Sequence, residues 1–230
     1  EIDEIISYIL QKTNKNIKTI VFDIPNGYIE KFSKIISEAR KEFPKLGIIA
    51  GNVVTSEGVR LLMDSGADGV KVGIGSGGVC DTTETTGIGY PQLSAAIDCS
   101  HEVKKYNGFI VSDGGVKITG DISKAFAAGS GFVMLGSLLA AHKESMAPII
   151  RKDNKNFREL YGMSSTQAMT KHYGGVADYR TSEGKSILVE DRGPVKNTLN
   201  KILGALRSTC TYINAKNIGE IHENSSFIIL

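Results

Sequence analysis

The chain has 230 residues, 41% hydrophobic and 23% charged, which fits one large or two small folded domains and argues against a disordered chain. Its 27 basic and 25 acidic side chains leave a formal charge of +2, so bulk charge lends no support to a nucleic-acid or membrane-surface role. No apolar run approaches the roughly 18 residues of a membrane span. No secretory signal pattern opens the chain, and three scattered cysteines form no disulfide framework, so a reducing, cytoplasmic compartment is expected. The histidines His101, His142, His172 and His222 show no metal-ligand spacing.

The first residue is Glu1, not methionine, and Glu1–Leu10 already carries a helical apolar stripe (Ile2, Ile5, Ile6, Ile9), as a fragment of a longer chain would. Short β-branched runs then alternate with helical patterns. Strands are expected at Ile17–Ile24, Gly47–Val53, Asp68–Gly73, Phe109–Ser112 and Phe132–Leu135. Helices are expected at Tyr28–Phe43, Ser56–Ser65 (N-cap Thr55 or Ser56), Pro91–Tyr106 and Asp121–Ala128. The strands are near-continuous apolar runs, as in a parallel sheet buried on both faces, and the short loops indicate βα units.

Asn52–Gly73 echoes Gly115–Gly136 at a constant offset of about 63 residues: Val53 meets Val116, Val59 meets Ile122, and Gly66 meets Gly129. Two units per offset gives roughly 31 residues per unit, the size of a (β/α)8 barrel repeat. The expected fold class is therefore α/β, a TIM barrel of which the last five strands are present. Three further strands, roughly 90–110 residues, would precede Glu1. A five-stranded doubly wound sheet is the alternative. A single barrel domain is expected over residues 1–230. Within it, residues 140–185 form a polar flap insertion, Asn197–Ser208 the last helix, and residues 210–230 a tail.

In such a barrel the chemistry sits at the C-terminal ends of the strands. Asp23, Asn52, Gly73–Gly75, Asp113 with Gly114 and Gly115, and Gly136 with Ser137 fall there. The last two strand ends, rich in backbone N–H groups, suit a phosphate, although plain turns would look the same. Gly73–Cys80 is a glycine run, but no helix is expected directly after it, so it matches neither a Walker loop nor a dinucleotide fingerprint. Cys80 on that loop can serve as a nucleophile or be idle. Cys99 reads as buried packing, and Cys210 as a residue following a helix with no activator. Lys71 inside a strand raises the possibility of a Schiff-base lyase; the preferred reading pairs its charge with Asp23 or Asp113. Glu183, in the polar insertion, is either a general acid–base delivered by a lid or a solvated charge.

Several runs then coincide with one family. They are Ala50–Thr55, Lys71–Gly75, Thr86–Ala95, Ser112–Gly115, Phe132–Gly136, Tyr161–Ser165, Gly174–Ala177, Arg180–Lys185 and Arg207–Tyr212. In these the chain strongly resembles the GMP reductases, within the IMP dehydrogenase/GMP reductase superfamily. The match covers almost the whole chain in order and implies roughly 110 further N-terminal residues, in agreement with the strand count.

The resemblance implies NADPH-dependent reductive deamination of GMP to IMP and ammonia. Cys80 would form a covalent thioimidate at C2, with Thr82 and Glu183 handling protons. Asp113 would bind the ribose hydroxyls. Gly114, Gly115, Gly136 and Ser137 would hold the 5′-phosphate, while Met163, Ser164, Arg180 and Gly184 would border the purine. Asp23, Asn26 and Asn52 would line the nicotinamide side. Ser208 and Tyr212 would reach the cofactor of a neighbouring subunit in a homotetramer. Gly75, Gly77 and Cys80 would offer carbonyls to a monovalent cation, K+.

The family's dehydrogenases carry an Arg-Tyr pair in the flap that activates water, and no such pair is found here. The chain departs from the family's usual Cys-Thr-Thr-Arg at Cys80-Asp81-Thr82-Thr83, has Ser76 for a proline, and has Ser137 for a glycine. Asp81 sets a negative charge beside the nucleophile, which would tend to raise a thiol pKa. An IMP dehydrogenase and a weakened purine-nucleotide-binding paralogue are the alternatives.

Overall fold

The computed structural model describes Glu4, residues 17–175 and residues 181–228. Five parallel strands lie in sequential order: β1 (Thr19–Asp23), β2 (Gly47–Val53), β3 (Gly69–Val72), β4 (Phe109–Asp113) and β5 (Phe132–Met134). Helices α1 (Glu30–Glu42), α2 (Ser56–Asp64), α4 (Gln92–Val103) and α5 (Thr119–Ala127) link consecutive strands, and neighbouring helices pack on one another. This is a curled half-barrel. A doubly wound sheet would require the strand order to reverse at a switch point, and here it never does.

The helices form where apolar residues recur on one face. Helix α1 buries Phe32, Ile36 and Ala39, and α2 buries Val59, Leu62 and Met63. They meet Ile48, Ala50, Val70, Val72 and Ile110 from the sheet in one core. Fully burying an aliphatic side chain of this size contributes roughly 1.5–3 kcal/mol each. Thr55 is the N-cap of α2, its Oγ1 accepting the Gly58 N–H at 3.3 Å.

Strands β2 and β3 are buried along nearly all their length, whereas the two edge strands β1 and β5 alternate between exposed and half-buried residues. The both-faces-buried expectation therefore holds for the centre of the sheet and fails at its edges.

The remaining elements refine the sequence reading. The glycine run Gly73–Cys80 is followed by a short helix, α3 (Thr82–Thr86), where none is expected. Four of its five residues are threonines, poor helix formers, and local contacts close it: Thr86 Oγ1 donates to Thr82 O at 2.6 Å, and Gly87 ends the helix at φ +74°. After β5 comes the four-residue helix α6 (Ser137–Ala140). The polar insertion is built around an antiparallel sheet of β6 (Ile149–Lys152), β7 (Lys155–Tyr161) and β8 (Ser186–Glu190), with α7 (Thr166–Tyr173) between β7 and β8. Strand β8 thus lies beyond the expected boundary at residue 185, because its alternating residues pair in register with β7, from Tyr161 opposite Ser186 to Phe157 opposite Glu190.

The last long helix, α8, runs Lys196–Tyr212, longer than expected, so Cys210 lies within it and the tail begins only at Ile213. Among the described residues no helix is long and apolar enough to cross a membrane. The helix expected over Glu1–Leu10 falls outside the described residues apart from Glu4.

Candidate functional site

Four side chains meet at the C-terminal ends of the strands. Lys71 is 2% exposed, and its Nζ lies 2.8 Å from Asp23 Oδ2 and 3.0 Å from Asp113 Oδ2. The sheet register makes this possible. Asp23 is level with Gly51, and Gly51 is level with Lys71. A Cβ at Gly51 would press on the Cβ and carbonyl of Lys71 at 2.5 and 2.6 Å, so glycine there leaves the lysine room. Burial pulls the Lys71 ammonium towards deprotonation, but the hydrogen bond to Asp23 and the charge of Asp113 outweigh it, and its pKa is raised. The charge-pair reading of Lys71 holds, and a lysine protonated in this way is no Schiff-base nucleophile.

Asn52 Nδ2 donates to Asp113 Oδ2 at 3.0 Å and to Gly73 O at 2.7 Å. Its Oδ1 is buried without a partner. An unmatched buried acceptor is costly and invites a donor from a bound molecule.

The glycine run lies across these strand ends. A Cβ at Gly73 would strike the Asp113 carbonyl, one at Gly114 the Ser76 side chain, and one at Gly75 the Thr83 hydroxyl. Backbone can approach backbone this closely only where no side chain intervenes. Ser76 Oγ donates to Gln92 Oε1 at 2.6 Å, while Gln92 Nε2 donates to Val72 O at 2.8 Å and to Ser112 Oγ at 3.0 Å. Gln92 therefore ties the loop to β3 and β4. Sequence reasoning misses it, since the first polar residue of a helix carries no special signal.

The two expected phosphate sites fare differently. The Gly115 N–H already donates to Ser76 O at 2.9 Å, so in this structure it is not turned to a ligand. Gly136 is the N-cap of α6, and Ser137, its first residue, lies against Gly78 of the glycine run.

The loop ends at a seam. Cys80 Sγ donates to Thr82 Oγ1 at 3.2 Å, and Thr82 Oγ1 donates to Glu183 Oε2 at 2.9 Å. Around this chain the backbone is laced together. Asp81 N–H donates to Glu183 O at 2.8 Å, Lys185 N–H to Val79 O at 3.1 Å, Glu183 N–H to Ser164 O at 3.1 Å, and Gly162 N–H to Lys185 O at 3.1 Å. Gly184 is bridged to both Cys80 and Ser165. Glu183 is thus no solvated loop charge: its segment is a strand-like strip between the cysteine loop and the turn after β7.

Asp81 does not stand bare beside Cys80, because Lys185 Nζ lies 2.8 Å from its Oδ1. Cys99 is fully buried, and burial, with the charge of Asp98, pushes its thiol up to about 12, so it stays protonated packing as expected.

Other expected residues stand apart from this cluster. Asn26 Oδ1 accepts the Tyr28 N–H at 3.1 Å as part of a turn. Met163 is 64% exposed, and Tyr212 is 91% exposed at the end of α8, beyond Ser208 on the same helix. Arg180 lies outside the described residues. Among the described residues no group of three or more His, Cys, Asp or Glu is placed to hold a metal ion.

The family profile of the IMP dehydrogenase / GMP reductase domain matches residues 3–230. The chain belongs to this family. Its curated relatives include a GMP reductase of Phytophthora infestans, 51% identical over 217 residues, covering 94% of this chain and 60% of that protein. GMP reductase 2 of Homo sapiens is 50% identical over 212 residues, covering 92% and 61%. A GMP reductase of Photobacterium profundum is 52% identical over 209 residues, covering 91% and 60%. The chain thus spans about 60% of the length of these relatives.

Proposed function

We propose that the protein is a GMP reductase, converting GMP to IMP and ammonia at Cys80 with NADPH. The observation that carries this reading is the unbroken chain Cys80–Thr82–Glu183, in a sequence about half identical to proteins of that name. A thiol, a hydroxyl and a carboxylate in hydrogen-bonded sequence are what a covalent displacement with internal proton transfer requires.

The thiol proton passes through the Thr82 hydroxyl to Glu183 as Cys80 Sγ bonds to C2 of the purine. The C2–nitrogen bond then breaks, and the same relay returns the proton to the departing nitrogen, which leaves as ammonia. A thioimidate between Cys80 and the purine remains. The nicotinamide cofactor, when bound, supplies the hydride that C2 accepts. The carbon–sulfur bond then breaks, releasing IMP and a thiolate, which takes a proton from water to restore the Cys80 thiol.

The residues at the strand ends fit such a cofactor, since the buried Asn52 Oδ1 without a partner suits a carboxamide N–H; Asp23 of the same cluster, and Asn26 once it leaves its turn, would complete that side. Asp113 would take the ribose hydroxyls, and Gly114, Gly115, Gly136 and Ser137 the phosphate, once Gly115 exchanges its bond with Ser76. Met163, Ser164, Arg180 and Gly184 would border the base. The carbonyls of Gly75, Gly77 and Cys80 would make an all-oxygen donor set suited to a hard monovalent cation such as K+, the Gly77 carbonyl, which accepts the Cys80 N–H at 3.1 Å, using its second lone pair. We place the protein in the cytoplasm as a homotetramer, with Ser208 and Tyr212 reaching a neighbouring cofactor site; the large exposure of Tyr212 supports this.

NADPH oxidation with GMP, run beside NAD reduction with IMP, tests the reading. NADPH loss coupled to ammonia release with GMP alone is expected. Activity with IMP and NAD alone would make it a dehydrogenase, and binding of GMP without turnover a nucleotide-binding paralogue.

A further inference from the structure

We propose that Asp81 and Lys185 form a latch that holds the Glu183 strip on the cysteine loop, so that both are positioning residues for the proton relay. This rests on the reading of Cys80, Thr82 and Glu183 given above. Asp81 directly follows the nucleophile, and Lys185 lies two residues beyond the carboxylate, so the ion pair spans the seam just where the relay crosses it.

Its geometry is specific. Lys185 Nζ lies 2.8 Å from Asp81 Oδ1, with the two side chains 43% and 21% exposed. The backbones of the same two residues close the seam, Asp81 N–H on Glu183 O at 2.8 Å and Lys185 N–H on Val79 O at 3.1 Å. Each latch residue thus joins both sides twice, once through its backbone and once through its charge. The Thr82–Glu183 bond is the one link of the relay that crosses between the two segments, 101 positions apart in sequence, so its length depends on this closure. The close approach of the Asp81 carboxylate, with the further charge of Glu84, holds the Lys185 ammonium above its ordinary pKa. The pair also cancels the negative charge that Asp81 alone would set beside Cys80.

Alkylation of Cys80 by iodoacetamide, followed by mass spectrometry on the full chain, tests the latch without substrate or cofactor. If the pair holds the strip down over the thiol, Asp81→Asn and Lys185→Gln each speed alkylation by about two- to fivefold, the scale of a partly exposed ion pair. The double variant then reacts no faster than the quicker single variant, and Lys185→Arg keeps the wild-type rate. If the two residues act only through charge, Asp81→Asn speeds alkylation and Lys185→Gln slows it, and the latch is refuted. Unchanged rates in both, or effects that multiply in the double variant, refute it equally.

In turnover the latch predicts kcat lowered by a similar factor in both single variants, with KM for GMP unchanged. Absence of GMP turnover in the wild type would remove the functional reading while leaving the alkylation result to judge the latch.

Discussion

Lys71 meets Asp23 and Asp113 because β1 to β4 are adjacent strands of one sheet: the register sets Asp23 level with Lys71, and Asp113 two positions beyond Val111, the residue opposite Lys71 on β4. Cys80 meets Glu183 by another route. Two segments far apart in sequence, neither in the parallel sheet, are laced by single backbone bonds and one ion pair. The first cluster is centred on a buried lysine, and its geometry is inherited from the barrel. The second is half-buried and holds only while its own few bonds hold. The rigid cluster therefore suits fixed binding, and the laced one suits chemistry that needs a strip able to open and close.

Four substitutions or conditions probe that contrast, the largest effect first. Cys80→Ala removes the proposed nucleophile of the laced region. Turnover should fall below about one part in 10³, while calorimetry still detects GMP binding; wild-type rates would end the covalent mechanism. Glu183→Gln keeps the shape of the strip but takes away the proposed proton acceptor, and a loss in kcat of about 10²–10⁴-fold is expected in steady-state assays.

Lys71→Met attacks the inherited cluster instead. Two carboxylates then face each other without their cation, and urea unfolding should show a loss of about 2–3 kcal/mol, below the full cost of breaking a buried pair because both acids keep some contact with water. A loss as small as that of an exposed ion pair would mean that the strand-end cluster is no more fixed than the seam.

The smallest effect concerns pH. The Lys71 pKa is raised from 10.5, so its contribution is complete below that value and is lost only as pH rises through the higher folded value. The difference in urea midpoint between wild type and Lys71→Met should therefore stay flat from about pH 6.5 to 9. A decline within that window would show that burial, and not the two acids, governs this lysine.

The βα alternation and the strand ends were legible in the amino-acid order alone, because apolar periodicity and glycine placement are local properties that a parallel sheet imposes strand by strand; the proposed roles of Cys80, Thr82 and Glu183 came from the family resemblance and not from any period. The pairing of Lys71 with its acids was legible too, since strands of known order bring their C-terminal residues to one rim. Where the pattern was weak, local reading failed. Helix α3 is mostly threonine, which has little helix preference, β8 has only three apolar residues, Ile187–Val189, between polar ends, and α8 continues through polar residues to Tyr212. Three contacts came only with the folded chain: Gln92 bracing the glycine run, Ser76 engaging the Gly115 amide, and Lys185 covering the charge of Asp81. They join segments whose separation in sequence carries no period, so no spacing rule encodes them; they exist because polar groups left unpaired by the two loops find each other once the half-barrel brings them together.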